Sequence, residues 1–377
     1  VEVRGILQYR RSIRSIIWFV AVTGILTPAI VAGSSTGSVA SAAAPVPARA
    51  TEFDAPSGLA FGGGHLWVTN RAGNSVTEIN PATGAWIKTV RGSGYGFNRP
   101  TAIVSLGPDL FVTNQAGSVS ELRANDGAPI RSISGSEFGF VDPIAIAATG
   151  HTLLVLNAGG ASAAPATAGS ISELDAVTGK FIRRVVGASF AFDEPSALTV
   201  SGPDVFVADE GNNSVTEVTV AGGKLVRVIN KDLSAPDGIT VDGGRIWVAD
   251  SKGDAATEID ATTGGVINTV GDYDGAYGFG SPSVAIASAG DIFIASPFGS
   301  SPMVTKLSAT TGAPSWYMCN TNGPYYFSLL SAFAVSGDHL WVASRSGANS
   351  KTPGAKTGSL TELDTRSGAL IATLPTN

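Results

Sequence analysis

Cysteine is almost absent from this chain: Cys319 stands alone. No disulfide can form within one chain, no cysteine cluster can hold zinc, and no cysteine lies near the N-terminus to carry a lipid. Histidine is nearly as scarce, with His65, His151 and His339 as the full set. Each stands where a short apolar run begins after a turn, at what reads as one repeated position. Such turn positions in separate repeats cannot share a metal or complete a Ser-His-Asp triad, so no catalytic residue is assigned. Charge is low as well, at 14 %. With 47 Gly and 20 Pro to supply turns, the composition suits sheets buried on both faces.

Residues 1–44 read as an export signal. Arg4, Arg10, Arg11 and Arg14 form a basic start, an apolar core runs from Ile16 to about Gly33, and Val39-Ala40-Ser41-Ala42-Ala43-Ala44 offers small-residue cleavage sites. The apolar core is also near the length of a bilayer span, so an uncleaved membrane anchor is the alternative. Removing four Arg and Glu2 from 24 basic and 30 acidic residues leaves 20 and 29, net −9. That balance argues against nucleic acid as a partner, and against a membrane surface unless the N-terminal segment is retained. The expected location is secreted or extracellular. Residues 45–54 form a Pro/Ala-rich lead-in, and residues 55–377 read as a single domain.

Within that domain one run keeps returning. Leu66-Trp67-Val68-Thr69-Asn70 recurs as Leu110–Asn114, Leu153–Asn157, Val205–Asp209, Ile246–Asp250, Ile292–Ser296 and Leu340–Ser344. The last residues of these runs lie 44, 43, 52, 41, 46 and 48 apart. A short apolar β-type run at that period predicts an all-β, seven-bladed β-propeller of four-stranded blades. In the first blade strands A to D are expected at about 57–61, 65–70, 75–80 and 85–91. Most repeats open on a proline, as at Pro56, Pro100 and Pro195, where a ladder has not yet begun. The C–D turns run from Asx to Gly, as in Asn80–Gly84 and Asp260–Gly264.

Val68-Thr69-Asn70 with Asn74-Ser75-Val76-Thr77-Glu78-Ile79-Asn80 resembles the YVTN and NHL repeat families over nearly the whole chain beyond the signal. The resemblance implies a secreted or periplasmic six- or seven-bladed propeller. It is specific for fold and poor for function, because such folds host binders, sensors, lyases and hydrolases. The chain is also distantly similar to the streptogramin B lyase-like propellers, whose chemistry relies on histidine and a divalent metal; the histidine deficit here departs from that pattern.

Two registers read as structural. The strand B aromatic (Trp67, Phe111, Phe206, Trp247, Phe293, Trp341) is expected to pack between blades. Strand C carries Glu78, Glu121, Glu173, Glu217, Glu258 and Glu362, with Lys306 in blade six. Ten residues after four of them stand Lys88, Arg131, Arg183 and Arg227. That offset across a hairpin predicts cross-strand ion pairs, partly exposed and worth about 0–1 kcal/mol each.

Length variation is concentrated between strands B and C, with long loops at 158–169 and 345–358. In a propeller the B–C and D–A loops share one face, so that face is the expected binding surface. The candidate ligand-binding residues there are Tyr95, Arg99, Asp193, Asp237, Tyr277, Tyr325 and Tyr326. Phe97, Phe140 and Phe192 share a register before proline and read as packing. No cofactor is assigned; the one metal left open is calcium on carboxylates, with Asp209 and Asp250, at the ends of strand B, as its weak candidates. The expected activity is binding, sensing or scaffolding of an extracellular protein, glycan or small molecule. The alternative is a carboxylate- and metal-dependent lyase or hydrolase.

Overall fold

The computed structural model describes residues 53–160, 169–271, 278–297, 302–319, 325, 327–345 and 358–374. They form seven antiparallel sheets of four strands each, with the strands of every sheet in sequence order. The blades span residues 56–91, 100–133, 143–185, 195–229, 236–271, 284–319 and 330–374. In the first, strand A is Pro56–Gly62, B is His65–Asn70, C is Ser75–Ile79 and D is Trp86–Arg91. Strand A of each blade touches strand A of the next, and the A strands of blades one and seven meet in the same way, so the sheets close into a ring around these innermost strands. Every blade is continuous in sequence, and closure therefore rests on packing between the first and last blades rather than on a borrowed strand.

Strand A opens with an irregularity that the ring uses. In blades one, two, four, five and seven the pairing of A with B slips just after the first residue, as at Pro56/Gly58. A bulged residue is re-aimed away from the ladder. Here the re-aimed residues are Ser57, Thr101, Ser196, Asp237 and Ser331. Ser57 Oγ donates to the Pro100 carbonyl at 2.9 Å, Thr101 Oγ1 to Pro143 at 2.8 Å, and Ser196 Oγ to Pro236 at 2.9 Å. Ser331 Oγ donates to Pro56 at 2.7 Å. The last bond is the first three repeated across the seam, so ring closure uses the same contact as three other junctions; Ser283 holds the position in blade six, but its Oγ is buried without a partner among the described residues.

The strand B aromatics are core, as expected: Trp67, Trp247 and Trp341 are fully buried. The Trp67 ring lies where a Cβ on Gly127, in the C–D turn of the next blade, would come within 2.7 Å of it. Gly127 also sits at φ +62°, where a side chain is strained. Gly127→Ala is expected to cost about 1–3 kcal/mol from backbone strain and overpacking together. Urea unfolding checks this, and a loss below about 0.5 kcal/mol would mean that the inter-blade joint yields freely.

The four expected ion pairs form, but their burial is not as anticipated. All six glutamates are buried, while the cations are partly exposed. Lys88 meets Glu78 at 3.2 Å and Arg183 meets Glu173 at 3.3 Å, and Arg131 and Arg227 bind Glu121 and Glu217. Burial pushes Glu121, Glu173 and Glu362 upward, and the partner cation acts against that in each. A buried carboxylate that loses its cation is costly, so these pairs outweigh surface pairs. The arginines also reach across blade junctions. Arg131 Nη2 donates to the Ala176 and Val177 carbonyls at 2.8 and 3.0 Å, and Arg227 Nη2 to Ala261 and Thr262 at 3.1 and 2.9 Å.

Where strand D lacks a cation, the first residue of strand B reaches the glutamate instead. Arg245 binds Glu258, and His339 Nδ1 lies 2.7 Å from Glu362. In blade one His65 Nδ1 also lies 2.6 Å from Glu78. Blade six reverses the signs: Lys306 Nζ, on strand C, meets Asp291 Oδ2 at 2.8 Å. His151 departs from the expected shared position. Strand B of its blade begins at Thr152, leaving His151 exposed in the preceding turn.

Candidate functional site at the B–C mouth of the channel

At the B–C and D–A face each blade brings two residues to the rim of the ring. One precedes the first residue of strand A; the other follows strand B. The first is left-handed in all seven blades: Ala55, Arg99, Asp142, Glu194, Ala235, Ser281 and Leu329 have φ between 49° and 57°. Non-glycine residues enter that region at a cost of order 1 kcal/mol and persist where surroundings hold them. Two kinds of bond hold them here. The residue after strand B donates its N–H to their carbonyl: Arg71 to Ala55 at 3.0 Å, Gln115 to Arg99 at 3.0 Å, Ala158 to Asp142 at 3.0 Å, and Arg345 to Leu329 at 3.2 Å. The preceding blade's B–C turn accepts their own N–H, with Asn74 Oδ1 2.6 Å from Arg99 N and Asn213 Oδ1 2.7 Å from Ala235 N. The same rigid joint thus positions a different pair of side chains in each sector.

Blades seven, one, two and three place charge there. Arg71 is only 6 % exposed. Its Nη2 donates to Gln115 Oε1, and its Nε is buried without an acceptor. Gln115 and Arg71 both act to lower the Asp142 carboxyl, so the three side chains neighbour one another across three blades, and Asp142 Oδ1 is buried without a donor among the described residues. Arg345 occupies the same repeat position as Arg71 in the adjoining blade; it is half-buried, and its Nε and Nη2 are shielded with no acceptor among the described residues. Burial and the neighbouring Arg99 guanidinium push Arg71 down to about 10, with Asp142 opposing; it remains charged at neutral pH. Burial and Arg71 push Arg345 well down, with Asp237 opposing. Burial raises Asp142 against the pull of Gln115, Arg71 and Arg99. The cluster holds three guanidiniums and two carboxylates, one positive charge in excess.

Arg99 and Asp237 of the expected site therefore join this cluster. Asp193 does not: it is exposed in the D–A loop of blade four, where its N–H donates to Asp209 Oδ1 at 2.7 Å. Tyr95 stacks on Phe97 at 5.3 Å and 18°. The same pairing recurs in Phe138–Phe140, Phe190–Phe192 and Tyr325–Phe327, so a stacked aromatic pair is a packing device of the D–A loop. Tyr325 is buried, and its hydroxyl donates to the Gly368 carbonyl at 3.1 Å. Tyr277 and Tyr326 lie outside the described residues, as do the central parts of the two long B–C loops. Arg71, Gln115, Asp142 and Arg345 are absent from the sequence-based set. The signal that would have found Arg71, Gln115 and Arg345 is the residue immediately after each apolar run; Asp142 stands instead just before the repeated proline, at Pro143.

Asp209 and Asp250 end their strands fully buried. Asp209 Oδ1 accepts from Asp193, and Asp250 accepts from Ser234 N at 3.3 Å and from the Thr257 hydroxyl. They work as caps on the D–A loop, as Asn114 does through Asn98 N at 3.1 Å. Burial raises Asp209 to about 8 and Asp250 to about 7. Among the described residues no three His, Cys, Asp or Glu gather as a metal-holding group. Nor do the histidines fit a histidine-metal centre of the lyase kind: His65 lies against buried Glu78, His339 bonds buried Glu362, and His151 is a turn residue.

No family model matches the sequence, and no curated protein matches it significantly. Solved structures do. The computationally designed Ika8 protein aligns at TM-score 0.61 and 16 % identity, covering 86 % of this chain and 88 % of that one. Virginiamycin B lyase from Staphylococcus aureus aligns at 0.59 and 16 %, covering 77 % and 91 %. BamB from Moraxella catarrhalis aligns at 0.53 and 17 %, covering 78 % and 80 %. At these identities the likeness is one of fold, and it agrees with the seven-bladed propeller described above.

Proposed function

We propose that this protein is an extracellular ligand-binding module whose ligand sits at the mouth of the channel on the B–C and D–A face. The observation that carries the reading is the pair of shielded, acceptor-poor guanidiniums of Arg71 and Arg345. Buried donors in folded proteins are satisfied almost without exception, and those left over mark a function or a missing partner. A rigid ring with variable loops on one face is also how binding surfaces are built. The N-terminal basic and apolar segment supports export. The propeller fold fits a binding or scaffold role, and the bonded histidines give a lyase chemistry nothing to act with.

A thermal-shift screen of small molecules and glycans, chosen without regard to charge, tests this. Hits are then mapped by amide hydrogen exchange. Protection is expected at residues 71–74, 98–101 and 142–144. Protection confined to the opposite A–B and C–D turns would overturn the reading.

A further inference from the structure

We infer that Arg71 and Arg345 form an oxyanion site, recognising one carboxylate or phosphate group of the ligand; the inference rests on the binding-module reading and names its ligand class. The protein itself supplies the comparison that separates a binding arginine from a structural one. Arg131 and Arg227 each bind a buried glutamate through Nε and two backbone carbonyls through Nη2, so both of these nitrogens have acceptors. Arg71 has the Gln115 amide oxygen and a bare Nε, and Arg345 has bare Nε and Nη2. A guanidinium presents donors in a planar fork that matches a carboxylate or a phosphate in bidentate fashion.

Nor does the fold require arginine at these positions. The equivalent residues in other blades are Gln115, Ala158, Glu210, Ser251 and Pro297, and in the first four the backbone N–H bonds to the left-handed residue. What arginine adds is a buried cation at position 71 and a half-buried one at 345 in the adjoining blade, close enough that Arg71 depresses Arg345. Desolvated like charges oppose folding, so a bound anion has more to gain here than at an exposed lysine. Asp142 and Asp237 flank the pair. Counted against Arg71, Arg345 and the rim residue Arg99, they leave a single excess positive charge, which one oxyanion neutralises. Arg99, exposed on the rim, adds to the attraction on approach.

The test titrates the full chain with inorganic phosphate and, separately, with succinate, against sodium chloride at matched ionic strength. Binding is read by calorimetry and by the shift in Tm. Saturable binding of at least one probe is expected, and which probe binds distinguishes a phosphate from a carboxylate ligand. Arg71→Gln and Arg345→Gln are each expected to weaken it about tenfold or more, as loss of a charge-assisted bidentate contact does. Lys224→Gln, exposed on the far-side C–D turn, is expected to leave it unchanged. If Arg71→Gln fails to fold, Arg345→Gln decides. No saturable binding beyond the chloride control, or binding undiminished in the folded arginine variants, overturns the inference. In that event uncharged hits that still protect residues 71–74 and 98–101 would leave the binding-module reading standing.

Discussion

Lys306→Glu is expected to lower stability by about 3–5 kcal/mol, the cost of a buried charge without a partner. The substitution copies the glutamate that the other six blades carry on strand C, so by sequence repeat alone it looks harmless. In the ring it is not. Lys306 is 8 % exposed, with Nζ 2.8 Å from Asp291 Oδ2 and 5.9 Å above the Phe293 ring. Glutamate there would face Asp291, and strand D offers Trp316 where four other blades offer a cation. Trp316 is already committed: its Nε1 donates to the Thr365 carbonyl of blade seven at 3.2 Å, the junction bond that Arg131 and Arg227 make elsewhere. Asp291→Arg in the same chain recreates the Arg245–Glu258 arrangement of blade five. The double variant should recover most of the loss, because the coupling between adjacent residues is the quantity at stake. Urea unfolding of wild type, both single variants and the double measures it. A loss below about 1 kcal/mol for Lys306→Glu, or no recovery in the double variant, would show that the charge pairing is incidental.

Asp209→Asn should stabilise the protein, and the gain should grow with pH. In the fold Asp209 is held near 8 by burial, against about 3.8 for an unhindered aspartate. A carboxyl raised in this way favours folding while protonated. Its contribution is complete below the unfolded value and is lost as pH rises from about 4 to about 8. Relative to wild type, the asparagine variant should therefore show little difference near pH 4 and a gain on the order of 3 kcal/mol at pH 8. The repeat shows why asparagine fits. Asn70, Asn114 and Asn157 hold the same position and donate Nδ2 to a strand C hydroxyl, at 2.8 Å to Thr77, 3.0 Å to Ser120 and 3.0 Å to Ser172. Thr216 occupies that hydroxyl position in blade four. Asp209 Oδ2 is buried without a donor, which an amide nitrogen would turn into a bond. Asp250, raised to about 7, should show a smaller gain over a window ending one unit lower, since it already accepts from Thr257. A stability difference that stays constant from pH 4 to pH 8 would refute the assignment.

The blade count, the strand order and, in the first blade, the strand edges to within a residue were legible because they depend on local alternation. An apolar run of five residues ending in Asx, followed by Glu eight residues on, is a strand, a turn and a strand wherever it occurs. The first strand D was expected at 85–91 and lies at Trp86–Arg91. The ion-pair offset was legible for the same reason, since ten residues across a hairpin bring Glu217 opposite Arg227. The depth of those glutamates was not, because the next blade buries them and no local pattern reports its distance.

The site divides along the same line. Arg99 and Asp237 could be picked out because they flank the repeated proline, a visible landmark. Arg71 and Arg345 sit one residue beyond the apolar run, where the repeat varies freely and looks like ordinary loop. Tyr95 drew notice as an aromatic in a variable loop, yet its stacking on Phe97 belongs to the repeat.

The sequence by itself determined a seven-bladed all-β ring, because period and alternation are carried by neighbours in the chain. Only the tertiary structure decided which residues meet. Arg71 and Arg345 are 274 positions apart in sequence and adjacent across the seam where blade seven meets blade one. Closure of the ring brings the two guanidiniums into one sector with Nε of each shielded from water, and that juxtaposition, rather than either residue, makes the mouth of the channel an anion site to be tested.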